Sequence, residues 1–250
     1  MSVPAKAFQQ WLHAVAPGSS MAAVAALSGI KRSTLAQQLV RGKVAVTTVV
    51  GISRALNLDV LTQLSAFEKF ADLASGARPP TERELMSQVS DMDLLRQIVA
   101  RNEHHAGTPG SGPAATGNVP ELASIPHETS VRCWIEALDT VNLRQRMAAT
   151  LRMAPQNLSA QLKANRLAPA AAVEAARIAG VGLANGLVAT GLLTPSEARW
   201  TPNAREKALL TLPDTDLVAT AAVRLEALGR SLRRTEQDNE QTKALWENLG

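Results

Sequence analysis

The sequence has 250 residues, with 26 Lys and Arg against 22 Asp and Glu, 46% hydrophobic residues, 3% aromatic residues and one cysteine. That is enough chain for one large core or two small ones of roughly 100–125 residues each. One cysteine excludes an intrachain disulfide and a CxxC metal knuckle, and no run nears the ~20 apolar residues of a membrane-spanning helix.

Ala, Leu and Val dominate and Tyr is absent, which favours close-packed helices, because strands draw on β-branched and aromatic side chains. In chain order, MSVPAKAFQQWLHAV lacks the apolar region and cleavage pattern of a secretory signal. With the lone Cys133, this sets the expectation of a reducing cytoplasm. WLHAV is expected in a first helix with Trp11 as a core anchor. Met21–Ser28 has helical apolar spacing through Val24, Ala25 and Leu27, and is followed by Gly29-Ile30. A second helix is expected from Arg32-Ser33, with Leu35 and Leu39 turned inward. Two helices crossing steeply need a small residue where they touch, here Ala25. Their tight turn needs a residue tolerant of positive φ, here Gly29, with Ile30 tucked beneath it.

Thr81–Arg101 again has helical spacing. HHAGTPGSGPAATGNVPELASIP, within 104–127, is rich in Gly, Pro, Ser and Thr and is expected to be a flexible linker. WIEAL then parallels WLHAV, Met147-Ala148 falls in another helix, Arg152-Met153 at its turn, and Pro155 at the first position of the next helix, where a missing N–H is harmless. Arg152 stands where the first half has its turn glycine, a departure expected to carry strain. Asn203–Leu232 completes the helical pattern, and the polar RRTEQDNEQTKALWENLG is left open between projecting helix and frayed end.

Charge is distributed unevenly. Residues 1–78 carry eight basic and three acidic side chains, 79–130 three and seven, 131–200 eight and four, and 201–250 seven and eight. No acid precedes Asp59, and none lies between Asp139 and Glu174. Two acid-free basic blocks separated by an acidic stretch point to two polyanion-facing surfaces.

The two blocks occupy matching positions in an internal repeat. Trp11 and Trp134 are 123 positions apart, and the same offset pairs Ala14 with Ala137, Leu35 with Leu158, Gln38-Leu39 with Gln161-Leu162, Arg54 with Arg177 and Leu64 with Leu187. It continues to Asp91-x-Asp93-Leu94 with Asp214-x-Asp216-Leu217, and to Arg101 with Arg224. The chain therefore reads as two diverged copies of one module. The expectation is an all-α fold of two tandem helix-turn-helix domains: 1–103 with a trailing helix, a linker at 104–127, and 128–250 with a long terminal helix.

MAAVAALSGIKRSTLAQQLVRGK resembles the helix-turn-helix of the Cro/C1-type (XRE-like) repressors. Both copies depart from that pattern by one extra residue before Gly42 or Asn165. The two-copy layout, the DxDL helix and the Ala/Arg-rich, Tyr-free style are similar to immunity repressors of actinobacteriophages (mycobacteriophage-type). That resemblance implies repression of early lytic promoters and maintenance of lysogeny.

In such a motif the second helix enters the major groove, with its first turns toward base edges. The expected DNA-facing residues of copy one are Lys31, Arg32, Ser33, Thr34, Gln37 and Gln38, with Arg41 and Lys43 toward phosphates. In copy two they are Gln156, Asn157, Ser159, Gln161 and Lys163, with Asn165, Arg166, Arg144 and Arg146 flanking. Arg suits guanine and Gln adenine, and phosphate contacts position without reading sequence. The expected partner is double-stranded DNA, not a membrane, bound by one chain on an asymmetric operator. Left open are a homodimer in which only the first copy reads DNA, and an antitoxin or RNA-polymerase-binding interaction protein. No enzyme is expected, and no cofactor or metal: HETS at 127–130 lacks the second His of HExxH, and no phosphate loop, GxSxG elbow or catalytic Cys/His pair occurs.

Overall fold

The computed structural model describes residues 2–107, 121–138 and 140–247. Among these the fold is all-α apart from one short ribbon: β1 (Ser2–Pro4) pairs antiparallel with β2 (Lys43–Ala45), Val3 opposite Val44. The helices of the first half are α1 (Ala5–Val15), α2 (Met21–Leu27), α3 (Arg32–Val40), α4 (Val46–Ala55), α5 (Val60–Ser65), α6 (Glu82–Ser87) and α7 (Asp91–Gly107). Those of the second are α8 (Ser130–Ala137), α9 (Leu143–Thr150), α10 (Pro155–Lys163), α11 (Pro169–Ala179), α12 (Asn185–Ala189), α13 (Ala204–Thr211) and α14 (Asp214–Glu247). The ribbon was not expected, because three residues are too few to display a strand period. No described helix is long and apolar enough to cross a membrane.

Local chemistry fixes the helix starts. Ser20 accepts from the Ala23 N–H and Asp59 from the Thr62 N–H, while Thr81 and Glu84 form a capping box at α6. Pro155 and Pro169 open α10 and α11. The expected helix over Thr81–Arg101 is interrupted by residues 88–90, giving α6 and α7. Helix α7 then continues through His104 and His105 to Gly107, into the segment expected as linker; residues 108–120 of that segment lie outside the described residues. The polar C-terminal stretch is helical to Glu247.

The offset of 123 runs through the backbone as well as the side chains. It relates the starts of α3 and α10, of α4 and α11, and of α7 and α14. It also relates three pairs of left-handed residues: Gly29 (φ 66°) and Arg152 (49°), Gly42 (69°) and Asn165 (49°), Asn57 (53°) and Gly180 (71°). The bonds closing these turns recur too, as in Ile30 N–H to Ala25 O at 3.0 Å and Met153 N–H to Ala148 O at 2.9 Å.

Contacts divide the chain into two units that differ from the sequential domains expected. Met1–Gln88 with Ser124–Ala204 form one, and Val89–Ala123 with Arg205–Gly250 the other. In the first unit a single apolar cluster runs through both halves, from Phe8, Trp11, Leu35, Ile52 and Leu64 to Trp134, Met147, Leu158, Ala172 and Leu187. Glu84 on α6 is buried among residues of the second half: it accepts from Trp134 Nε1 (3.0 Å) and Asn185 Nδ2 (3.1 Å), and Asn185 Oδ1 accepts from Trp200 Nε1 (2.9 Å). In the second unit α7 packs against α14, with Leu94, Leu217 and Ala221 buried.

Candidate nucleic-acid interface

Helices α2 and α3 are held at a fixed angle by the left-handed Gly29 and by buried Val24, Ala25 and Leu35. With Leu35 fully buried and Leu39 packed against the core, the helical period leaves Arg32, Ser33, Thr34, Ala36 and Gln37 exposed, beside Lys31 at the N-cap. The first turn of α3 contains no acid. Its free N–H groups and the cations of Lys31 and Arg32 therefore add to one positive end. Arg41, at the C-cap, and Lys43, on β2, are both exposed.

Gln38 is placed differently from its neighbours on α3. It is half-buried, and its Oε1 accepts from the Ala45 N–H (2.9 Å) and the Thr48 hydroxyl (3.1 Å). Its carbonyl thus ties α3 to the start of α4. Val40 was missed by the sequence reading: it is 89% exposed in the last turn of α3. The signal for it lay in the inward Leu35 and Leu39, which turn position 40 outward. An exposed apolar side chain there suits a thymine methyl.

Copy two repeats the frame and alters the face. Arg152 adopts the left-handed turn that Gly29 occupies, and Leu158 and Leu162 are buried. Gln156, Asn157, Ser159 and Lys163 are exposed along α10. Ala154 and Pro155 stand where the first copy has Lys31 and Arg32, so the start of α10 has no cation of its own. Arg144 and Arg146 are exposed on α9, with Arg144 Nη2 3.8 Å from Glu136 Oε1. Arg166 is exposed beyond α10.

Two residues expected in the second copy join Gln38 in serving the scaffold. Asn165 is left-handed, accepts from the Val131 N–H (2.8 Å) and donates to His127 O (3.1 Å), which fixes α8 against the end of α10. Gln161 is half-buried, its Nε2 3.7 Å from Met153 Sδ. The expected residues therefore sort into an exposed face and inner ties, with Gln38, Gln161 and Asn165 among the ties. Among the described residues no group of three or more His, Cys, Asp or Glu side chains could hold a metal ion. Compared with family models, with curated proteins and with solved structures, the chain matches none.

Proposed function

We propose that the chain is a sequence-specific, double-stranded-DNA-binding transcriptional repressor that reads two unlike half-sites through α3 and α10. One observation carries this reading: two helix–turn–helix frames with matching left-handed turns each present an exposed, acid-free second helix flanked by cations. On α3, Arg32 and Gln37 are the base-reading candidates; on α10 they are Gln156 and Asn157. Arg41, Lys43, Arg144, Arg146, Lys163 and Arg166 flank the two faces and suit phosphates. The resemblance to phage immunity repressors adds repression, rather than activation, to the reading.

Selection of bound duplexes from a random pool, followed by titration against salt, tests it. A two-part preferred site and a fall in affinity of about 10³-fold between 50 and 200 mM salt are expected if six or more phosphates are contacted. A flat salt response with no enriched sequence removes DNA from the account. A second reading, in which only the first copy contacts bases, is favoured by the absence of a cation at the start of α10. It predicts unchanged operator affinity for the Gln156→Ala, Asn157→Ala double variant, against about a tenfold loss or more if both copies read bases.

A further inference from the structure

The contacts between the two halves are reciprocal. In the second unit, Arg101 donates to Asp214 Oδ1 (2.5 Å) and to Leu212 O (2.7 Å). Arg224 donates to Asp91 Oδ1 (3.3 Å) and to Val89 O (2.5 Å). Arg101 and Arg224, Asp91 and Asp214, and Val89 and Leu212 are all pairs 123 positions apart. Each half thus places the same arginine on the same carboxylate and the same carbonyl of the other.

The first unit, taken by itself, shows the same exchange. Arg54 of the first half grips both oxygens of Glu197 (2.6 and 2.7 Å), and Asp59 lies 3.3 Å from Arg199. Arg177, the counterpart of Arg54, grips Asp72 (2.8 Å); the Leu183 N–H donates to Gly76 O (3.1 Å), and Arg78 donates to Gly180 O (3.3 Å). So segment 54–59 of one half meets 197–199 of the other, and 177–183, which corresponds to 54–60, meets 72–78. Asp72 corresponds to position 195, two residues from Glu197.

A contact from patch i to patch j that is returned from j to i is the mark of a two-fold axis; a head-to-tail arrangement would set one patch against a different one. We infer that the first unit is an internal pseudo-dimer, so that α3 and α10 meet a duplex related by a pseudo-dyad and the two half-sites run in inverted orientation while differing in sequence. This rests on the DNA-binding reading above, and it adds an orientation to it. Protein two-fold symmetry is mirrored in the site it reads; here the scaffold obeys the dyad and the reading residues break it.

The test gives the two helices the same face. In the full chain, Ala154→Lys, Pro155→Arg, Gln156→Ser, Asn157→Thr, Ser159→Ala, Ala160→Gln and Lys163→Val transfer the exposed α3 residues, Val40 included, to α10. Random-pool selection with this variant is expected to return a palindrome, bound about tenfold or more tighter than the same two half-sites arranged as a direct repeat. Enrichment of a direct repeat overturns the inference. An independent measurement leaves both reading faces untouched: a DNA-cleaving iron chelate on Leu27→Cys or, separately, on Thr150→Cys. These exposed positions are 123 apart, and the only other thiol, Cys133, is 6% exposed. Cleavage at dyad-related positions on opposite strands supports the inference, and the same pattern repeated on one strand overturns it. Failure of the wild-type chain to enrich any sequence would instead overturn the DNA-binding reading.

Discussion

At the scale of single residues, Gly29 and Arg152 present the same backbone problem with different side chains. A left-handed conformation costs a non-glycine L-residue about 1–2 kcal/mol, whereas glycine adopts it freely and loses about 0.5–1 kcal/mol of chain entropy elsewhere. Gly29→Arg should therefore destabilise the protein by about 1 kcal/mol, and Arg152→Gly should stabilise it by less than that. Urea melts of the two variants read the opposite signs. If Arg152 also meets a phosphate, the stabilised variant binds DNA more weakly. The turn itself was legible in Gly29-Ile30, and the second turn was legible only through its alignment with the first. Gln38 and Asn165 were not legible as scaffold ties. An amide on a helix face has the same sequence signature whether it meets a base or a neighbouring backbone N–H.

Among the elements, α6 illustrates what a sequence pattern leaves out. ERELMS reads as one short piece of a longer helix, and the capping box of Thr81 and Glu84 at its start went unread, although Thr-x-x-Glu is its signature. That Glu84 is 1% exposed and holds Trp134 and Asn185 of the other half was not readable, because nothing local encodes a partner 50 or 101 residues away. In the first copy, Trp11 Nε1 instead donates to Gln63 within its own half (3.0 Å). The position matching Gln63 is Gly186, where a Cβ would overlap the Trp134 ring, so the second tryptophan turns to Glu84 for its acceptor. Glu84→Leu strands the Trp134, Asn185 and Thr81 donors at about 1–3 kcal/mol each, before any relaxation. A loss of about 3–5 kcal/mol is expected in denaturant melts followed by tryptophan emission. A loss under about 1 kcal/mol would show that the donors find other partners.

For the molecule as a whole, the all-α class followed from composition and period, whereas the grouping of the halves did not. A Gly/Pro-rich stretch suggests separate bodies, yet both helix-turn-helix frames lie in one unit and share one apolar cluster. Periodicity reports which face is buried and carries no information about which half buries it. Acid should loosen this assembly in a defined direction. The Arg54 hydrogen bonds hold the Glu197 carboxyl below its ordinary value, ahead of the opposing effect of burial. Asp59 is lowered as well: burial opposes the shift, and bonds from Thr62 and Arg199 outweigh it. A carboxylate with a depressed folded value contributes fully above its unfolded value, near 4.3 for Glu, and loses that contribution as pH falls through the folded one. Stability should therefore drop below about pH 4.3 in the wild type, and drop less steeply in Glu197→Gln. Parallel slopes for the two proteins would remove this pair from the acid response.

The reciprocal arginines have one more consequence. A pair of separate chains falls apart on dilution, so its occupancy of a site falls faster than its concentration. Two faces joined in one polypeptide have no such threshold. On the proposed reading, a cell that halves its copies at division would halve the number of complete readers and create no half-readers. Joining also frees each face from its twin: a substitution in α3 is not copied into α10, as it would be in two identical subunits. If the chain is the pseudo-dimer inferred above, one gene could therefore drift toward a DNA site with no symmetry in its sequence while the framework beneath keeps its two-fold form.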